Sequence, residues 1–357
     1  MATVLVGAAI LVGCSSTPVV ATPDTNATAS GIIDALNTDD QTSFTHLFAR
    51  SASPERVQGL WANLIAIRLL SITAQPDGSW QTAWQLPGEQ GIATHLVEPR
   101  WLCDAGGCLL EDIGPRSGSP APIWLGEAIG VRQTAGVTLV GAGDLTQWAD
   151  PAERAAEFVG DQQVAGLIRP ADTQVIEVPA DSRDFEQVMG ASIFDFADTG
   201  ALTWIADSGG TAPQGETAPA RIVVNPVVTE QANADSRYLL LVHEQTHAAT
   251  SWLGHPASGR LWLSEGLAEW MMLQASPEAQ QRSDQALTDA CPLTPVPPAD
   301  ADFSDPAKAD LAYAWSAAAV GRLIDRPAAA SVIGTLWSSP DTPDADLELG
   351  SPPVGCP

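Results

Sequence analysis

Basic residues are scarce in this sequence, and Lys308 is its only lysine. Sixteen Lys and Arg residues stand against 43 Asp and Glu residues, which gives a formal net charge of -27. A surface of this charge repels phosphate backbones and anionic lipid headgroups, so we expect no nucleic-acid partner. The shortage of lysine also argues against a P-loop and against most Schiff-base chemistry.

Histidine is nearly as scarce. The five histidines are His46, His95, His243, His247 and His255, and His243 and His247 lie four residues apart. No G-x-S-x-G motif occurs, and a serine nucleophile would have to use one of the three isolated histidines as its base. A serine hydrolase is therefore the least supported of the enzyme classes considered.

Long apolar runs are absent, and the run at residues 4–12 is too short to cross a bilayer as a permanent helix. It ends in Leu-Val-Gly-Cys14, which resembles the lipobox of bacterial lipoproteins. The resemblance implies a signal peptide at residues 1–13, a lipid on Cys14 and a Ser/Thr/Pro-rich flexible tether at residues 14–30. We therefore expect a lipid-anchored protein on the cell membrane that faces outside the cytoplasm. The alternative is a short apolar strand with an incidental cysteine.

Four further cysteines remain, an even number that makes disulfides plausible outside the cytoplasm. Cys103 and Cys108 bracket a turn-rich loop that could bring two strand ends within bonding distance. Pairing of Cys291 with Cys356 follows only by elimination. A zinc site built from these cysteines is the rival interpretation, but no C-x-x-C pair occurs.

The length of 357 residues and an apolar content of 45% predict a globular protein with two domains. Residues 31–67 show helical periodicity, and alternating strand patterns with Pro/Gly punctuation follow. This order predicts a small α+β domain at residues 31–118 and resembles the NTF2-like cone. A Gly/Ser/Pro-rich stretch at residues 114–122 separates it from a second domain at residues 123–357. Short strands and a helix beginning near Asp150 are predicted there.

A buried helix carrying His243, Glu244 and His247 is the main chemical feature of the second domain. Residues 238–249 lack Gly and Pro and keep apolar residues on successive turns. At a spacing of four, the two imidazoles share one helix face and can reach a single Zn²⁺, while Glu244 can reach a metal-bound water. Burying two imidazoles without a metal or hydrogen bonds would cost free energy. The alternative to a metal site is therefore a pair of core histidines that hydrogen bonds satisfy.

A second motif, Trp-Leu-Ser-Glu265-Gly-Leu-Ala, follows the first. It resembles the W-L-x-E-G-x-A segment found after H-E-x-x-H in gluzincin zinc peptidases, and the resemblance covers about residues 221–270. It implies that Glu265 is the third ligand of one zinc ion per chain in a zincin-like fold. Glu269, one turn later, competes for that role or accepts a hydrogen bond from a ligand histidine. The metzincin pattern fails at Thr250 and Leu253.

Two further features resemble the same family. Residues 221–225 match an edge strand that receives an extended peptide by backbone pairing. Tyr313 occupies the place of a tyrosine that stabilises the oxyanion, although an ordinary core tyrosine is the alternative. Together the motifs predict a zinc metallopeptidase acting on peptide or protein substrates. The alternative function is a non-catalytic, zinc-containing binding lipoprotein of the cell envelope.

Overall fold

The computed structural model describes residues 22–162, 164, 166–207, 218–291 and 296–339. Helices and two sheets are mixed along the chain, which confirms the α+β class. The helices are α1 (Thr25–Asn37), α2 (Gln41–His46), α3 (Pro54–Ala66), α4 (Thr146–Asp161), α5 (Ser182–Met189), α6 (Pro226–Thr229), α7 (Ala234–Thr250), α8 (Leu261–Gln274), α9 (Pro277–Asp289), α10 (Ala309–Ile324) and α11 (Ala329–Ser338). The strands are β1 (Arg68–Ala74), β2 (Trp80–Gln85), β3 (Ala93–Asp104), β4 (Gly107–Pro115), β5 (Gly130–Thr134), β6 (Val137–Gly141), β7 (Gln174–Glu177), β8 (Ala201–Ile205) and β9 (Ala220–Val224).

The first three helices precede an antiparallel sheet of order β1-β2-β3-β4. α1 begins at Thr25, six residues before the predicted helical region, so residues 25–30 of the predicted flexible tether are helical. The Asp24 side chain caps the helix by accepting a hydrogen bond of 2.9 Å from the Ala27 N–H. A disulfide joins Cys103 and Cys108 where β3 turns into β4, as the turn-rich loop predicts.

The second sheet has the order β5-β6-β7-β9-β8. Its central strands β6, β7 and β9 are parallel, and antiparallel strands close both ends. The prediction that residues 221–225 form an edge strand is wrong, because β9 lies between β7 and β8. The edge beside α7 is β8, a strand that the sequence patterns did not single out. The predicted helix start near Asp150 is also displaced, since α4 begins at Thr146.

Both faces of the second sheet are covered, as is usual for parallel strands. One face packs with α4, α7, α8, α10 and α11 in one apolar core. The opposite face shares a second core with the first sheet and its helices. Successive side chains of β6, β7 and β9 alternate between the two cores. The core shared with α4, α7, α8, α10 and α11 contains Leu139, Ile176 and Ile222. The core shared with the first sheet contains Val140, Val175 and Val223.

A buried ion cluster joins the two sheets. Arg221 of β9 is fully buried and binds the Glu89 carboxylate with two hydrogen bonds of 2.7 Å. A third bond of 2.9 Å joins it to Glu177 of β7, and its guanidinium lies 3.9 Å from the ring centroid of Trp84 on β2. Burial raises the pKa of the Glu177 carboxyl, although Arg221 opposes this. The paired arginine therefore fixes the first sheet against the second.

Two predictions concern the chain ends. Cys14 and Cys356 lie outside the described residues, so the lipid anchor and the second disulfide partner stay predictions. Cys291 itself is disulfide-bonded. Among the described helices, none combines the length and apolar character that a membrane span requires.

Candidate metal centre

The helix α7 supplies two imidazoles to the site. The Asn233 side chain caps it by accepting a hydrogen bond of 2.8 Å from the Ser236 N–H, and buried residues such as Leu241 and Val242 anchor it in the core. The four-residue spacing then places His243 and His247 on one face, with ring centroids 4.8 Å apart. Both side chains are largely buried, 13% and 17% exposed.

The third donor comes from α8. Glu265 is followed by Gly266, where an added Cβ would lie 2.6 Å from the backbone oxygen of Ser316 on α10. This close backbone approach seats α8 against α10 and leaves Glu265 facing the imidazoles. In this Glu-Gly pair, Glu265 supplies the third candidate metal donor, and glycine at position 266 allows the close approach of α10.

The three donor atoms form a nearly equilateral triangle. The two histidine Nε2 atoms are 3.1 Å apart. Glu265 Oε2 lies 3.4 Å from Nε2 of His243 and 3.5 Å from Nε2 of His247. Within the described part of the chain, these residues form a group of His, Cys, Asp or Glu side chains that could hold a metal ion.

The triangle fits a small tetrahedral cation. Bonds of about 2.0–2.1 Å in tetrahedral geometry place neighbouring donor atoms roughly 3.4 Å apart. The sides of 3.1, 3.4 and 3.5 Å agree with that edge. Two neutral imidazoles and one carboxylate also form a donor set that zinc accepts, with a fourth position left for water or substrate.

The far sides of both imidazoles have polar neighbours. His247 Nδ1 lies 3.2 Å from Ser264 Oγ, and His243 Nδ1 lies 3.6 Å from Glu269 Oε2. A metal bound at both Nε2 atoms would leave each Nδ1 protonated, with Ser264 Oγ within hydrogen-bond reach of one and the Glu269 carboxylate near the other. Such outer partners fix the tautomer and orientation of ligand histidines. The geometry thus places Glu265 at the donor triangle and Glu269 behind His243.

Glu244 lies beside the donor triangle and is only 6% exposed. Thr203 Oγ1 of β8 is 2.8 Å from Glu244 Oε2 and 2.9 Å from the Glu244 backbone oxygen. Burial raises the pKa of the Glu244 carboxyl above its usual value, while His243, His247 and the Thr203 hydroxyl act in the opposite direction. Burial and the contact with the Thr203 hydroxyl therefore restrict the orientation of the Glu244 carboxylate.

Three carboxylates surround the two imidazoles, so the site favours positive charge. Burial lowers the pKa of His243, but the Glu265 and Glu269 carboxylates, which accept from its ring N–H groups, outweigh it and raise that pKa to about 10. Burial likewise raises the pKa of Glu265, but His247 and His243 outweigh it and hold that pKa well below its usual value. A metal cation would meet the same need for positive charge without protonating a ligand.

Tyr313 of α10 contacts this cluster. Its ring centroid lies 6.0 Å from that of His243 in an edge-on arrangement. Burial and the neighbouring carboxylates, first among them Glu265, raise the pKa of Tyr313 above its usual value. The hydroxyl thus stays protonated and able to donate a hydrogen bond.

Comparison with protein-family models and with curated proteins gave no match to this chain.

The structure brings together His243, Glu244, His247, Glu265 and Tyr313, all of which the sequence motifs singled out. Sequence reasoning missed two hydroxyl side chains, Thr203 and Ser264, that contact Glu244 and His247. Ser264 lies inside the recognised Glu265 motif, so its position was a usable signal. Thr203 is 41 residues from Glu244, and no local pattern connects the two.

Proposed function

We propose that this protein is a gluzincin-type zinc peptidase, in which His243, His247 and Glu265 hold one Zn²⁺ and Glu244 is the general base. The donor triangle carries this proposal, because its sides suit tetrahedral zinc and a buried carboxylate lies beside it. The H-E-x-x-H spacing and the downstream Glu265 motif support the same assignment.

Each residue of the site has a separate role in the proposed hydrolysis. When bound, Zn²⁺ acts as a Lewis acid that lowers the pKa of a water molecule toward about 7 and polarises a peptide carbonyl. Glu244 accepts the proton of the attacking water and delivers it to the leaving amine nitrogen. The Tyr313 hydroxyl donates to the carbonyl oxygen as negative charge develops there. Ser264 and Glu269 keep the imidazoles oriented.

An extended peptide is the substrate that the second sheet suits. β8 ends the strand order of that sheet and carries Thr203 beside Glu244. A peptide that adds to such an edge is held by backbone hydrogen bonds, which depend little on its sequence. The scissile bond would then lie next to the metal.

We also propose a domain architecture and a cellular location for this protein. The helices α1–α3 with their four-stranded antiparallel sheet support an NTF2-like first domain, and α7 beside the second sheet supports a zincin-like second domain. Cys14 in its Leu-Val-Gly-Cys context supports lipid anchoring outside the cytoplasm. The Cys103–Cys108 disulfide agrees with that compartment.

Zinc quantification combined with peptide-library cleavage tests the proposal. Purified wild type should contain one zinc ion per chain and cleave library peptides, and a chelator should abolish cleavage while serine-directed reagents should not. The Glu244→Gln variant should retain zinc and lose cleavage by about 100-fold or more.

Other outcomes would favour the alternatives. Stoichiometric zinc without cleavage of any library peptide would favour a binding lipoprotein over an enzyme. Full cleavage by Glu244→Gln would exclude Glu244 as the base. Inhibition by serine reagents alone would exclude the metal mechanism altogether.

A further inference from the structure

The strand β8 lies between the metal-site helix and the first sheet. Its side chains alternate, as strand geometry requires. Thr203 faces α7 and contacts Glu244. Leu202 and Trp204 face the opposite way and pack against the core that contains the first sheet. One short strand thus contacts both the proposed general base and the first half of the chain.

The Thr203 hydroxyl is well placed to set the orientation of the Glu244 side chain. Its oxygen lies 2.8 Å from Oε2 of that carboxylate. A hydrogen bond to a charged acceptor is about twice as strong as one between neutral groups, so the hydroxyl should favour the carboxylate over the backbone oxygen 2.9 Å away. This bond uses only one lone pair of Oε2, but it fixes the plane of the carboxylate and so the direction in which Glu244 can accept a proton.

The first sheet contacts the C-terminal end of β8 and the residues that follow it. The ring of Trp204 lies edge-on to the ring of His95 on β3, with centroids 5.6 Å apart. Directly after β8, the Ala206 backbone oxygen accepts a hydrogen bond of 2.9 Å from the Thr94 N–H. The Thr94 hydroxyl also bonds the Asp207 carboxylate over 2.7 Å. Side-chain and backbone contacts therefore both limit movement of the strand that carries Thr203.

We propose that Thr203 is a positioning residue that orients Glu244 for proton transfer, and that the first sheet maintains this by fixing β8. This inference rests on the proposed peptidase function. Thr203 does not touch the reacting atoms; its effect passes through the carboxylate it holds. Removing the hydroxyl should therefore slow turnover while leaving metal binding and peptide binding intact.

Kinetics of two substitutions at position 203 test the proposal, with a quenched-fluorescence peptide that the full-length, zinc-loaded wild type cleaves. Thr203→Val keeps the shape and removes the hydroxyl, and we expect kcat to fall about 10- to 100-fold with KM within about twofold of wild type. Thr203→Ser restores the hydroxyl and should recover most of kcat. Zinc content and the thermal unfolding midpoint should match wild type in both.

Thr138→Val is the matched control. Thr138 is buried on β6 of the same sheet, and its hydroxyl lies 3.4 Å from the Pro87 backbone oxygen, away from the metal site. Its kcat should equal that of wild type. A loss of kcat in this control as large as in Thr203→Val would show a general packing effect and overturn the proposal.

The result for Glu244→Gln distinguishes failure of the Thr203 positioning role from failure of the peptidase proposal. If Thr203→Val keeps wild-type kcat while Glu244→Gln is inactive, Thr203 does not position the base and the peptidase proposal stands. Equal loss in Thr203→Val and Thr203→Ser, or loss of zinc in Thr203→Val, would likewise overturn the positioning role. If the wild type cleaves no peptide, the peptidase proposal itself fails.

Discussion

Glu265 and Glu269 differ in how they approach the two histidines of the candidate metal site. Both lie on α8 one turn apart, and both approach His243. Glu265 Oε2 contacts the Nε2 atoms of both histidines, whereas Glu269 Oε2 faces Nδ1 of one. Only the former position completes a triangle that a single cation can fill. The resemblance of the second motif implies Glu265 as the third ligand, and the donor triangle favours it over Glu269 for that proposed role.

The two glutamates should therefore respond differently to removal of charge. Glu265→Gln removes a proposed ligand and should weaken zinc binding more than 100-fold. Glu269→Gln removes an outer partner and should weaken it about 10- to 100-fold. Competition with a chromogenic chelator measures both affinities. A larger loss in Glu269→Gln than in Glu265→Gln would reverse the assignment.

The helix pair α8 and α10 shows which part of the site the sequence could not reveal. The resemblance singled out Glu265 and Tyr313, but no local pattern indicated that the backbones of their helices touch at Gly266 and Ser316. The edge strand was misassigned for a related reason. Strand patterns reveal that strands exist, whereas their order in a sheet depends on long-range pairing. Thr203 was missed because only that order brings it to Glu244.

Gly266→Ala tests the importance of this helix contact. The added methyl would lie 2.6 Å from the Ser316 oxygen and 2.9 Å from Val320 Cγ2, so the helices must separate. Overpacking of this kind costs about 1–3 kcal/mol, which outweighs the roughly 1 kcal/mol that alanine adds to a helix. Urea unfolding should show a lower midpoint, and zinc affinity should fall because Glu265 moves with its neighbour.

Gly59→Ala provides the matched control for that substitution. Gly59 lies in α3, and an added Cβ there meets no atom within 4 Å. Its urea midpoint should equal or exceed that of wild type. A destabilisation equal to that of Gly266→Ala would mean that helix packing at Gly266 is not the cause.

At the scale of the whole molecule, the two sheets are joined across a shared apolar core and the buried Arg221 cluster. The sequence predicts a small α+β domain followed by a second domain with short strands and the His243 helix, and the observed helices and sheets follow that order. It did not predict that the two share a core, because the pairing of Arg221 with Glu89 spans 132 residues. Such distant contacts leave no trace in local periodicity.

Breaking the cluster should destabilise the protein strongly. Glu89→Gln leaves the buried arginine with reduced charge compensation, and loss of one partner from a buried pair costs about 3–5 kcal/mol. Urea unfolding of the zinc-loaded protein measures this. Lys308→Gln removes an exposed ion pair with Asp302 and should change the midpoint far less. Equal effects would show that the buried cluster contributes no more than a surface pair.

Stepwise zinc addition to metal-free protein, with bound zinc and peptide hydrolysis measured in the same samples, shows whether hydrolysis depends on the metal. We expect hydrolysis to rise in proportion to bound zinc and to reach its maximum at one ion per chain. His247→Ala should neither bind zinc with comparable affinity nor hydrolyse peptide. Hydrolysis that is independent of bound zinc, or a chain that binds none, would contradict the proposed metal mechanism.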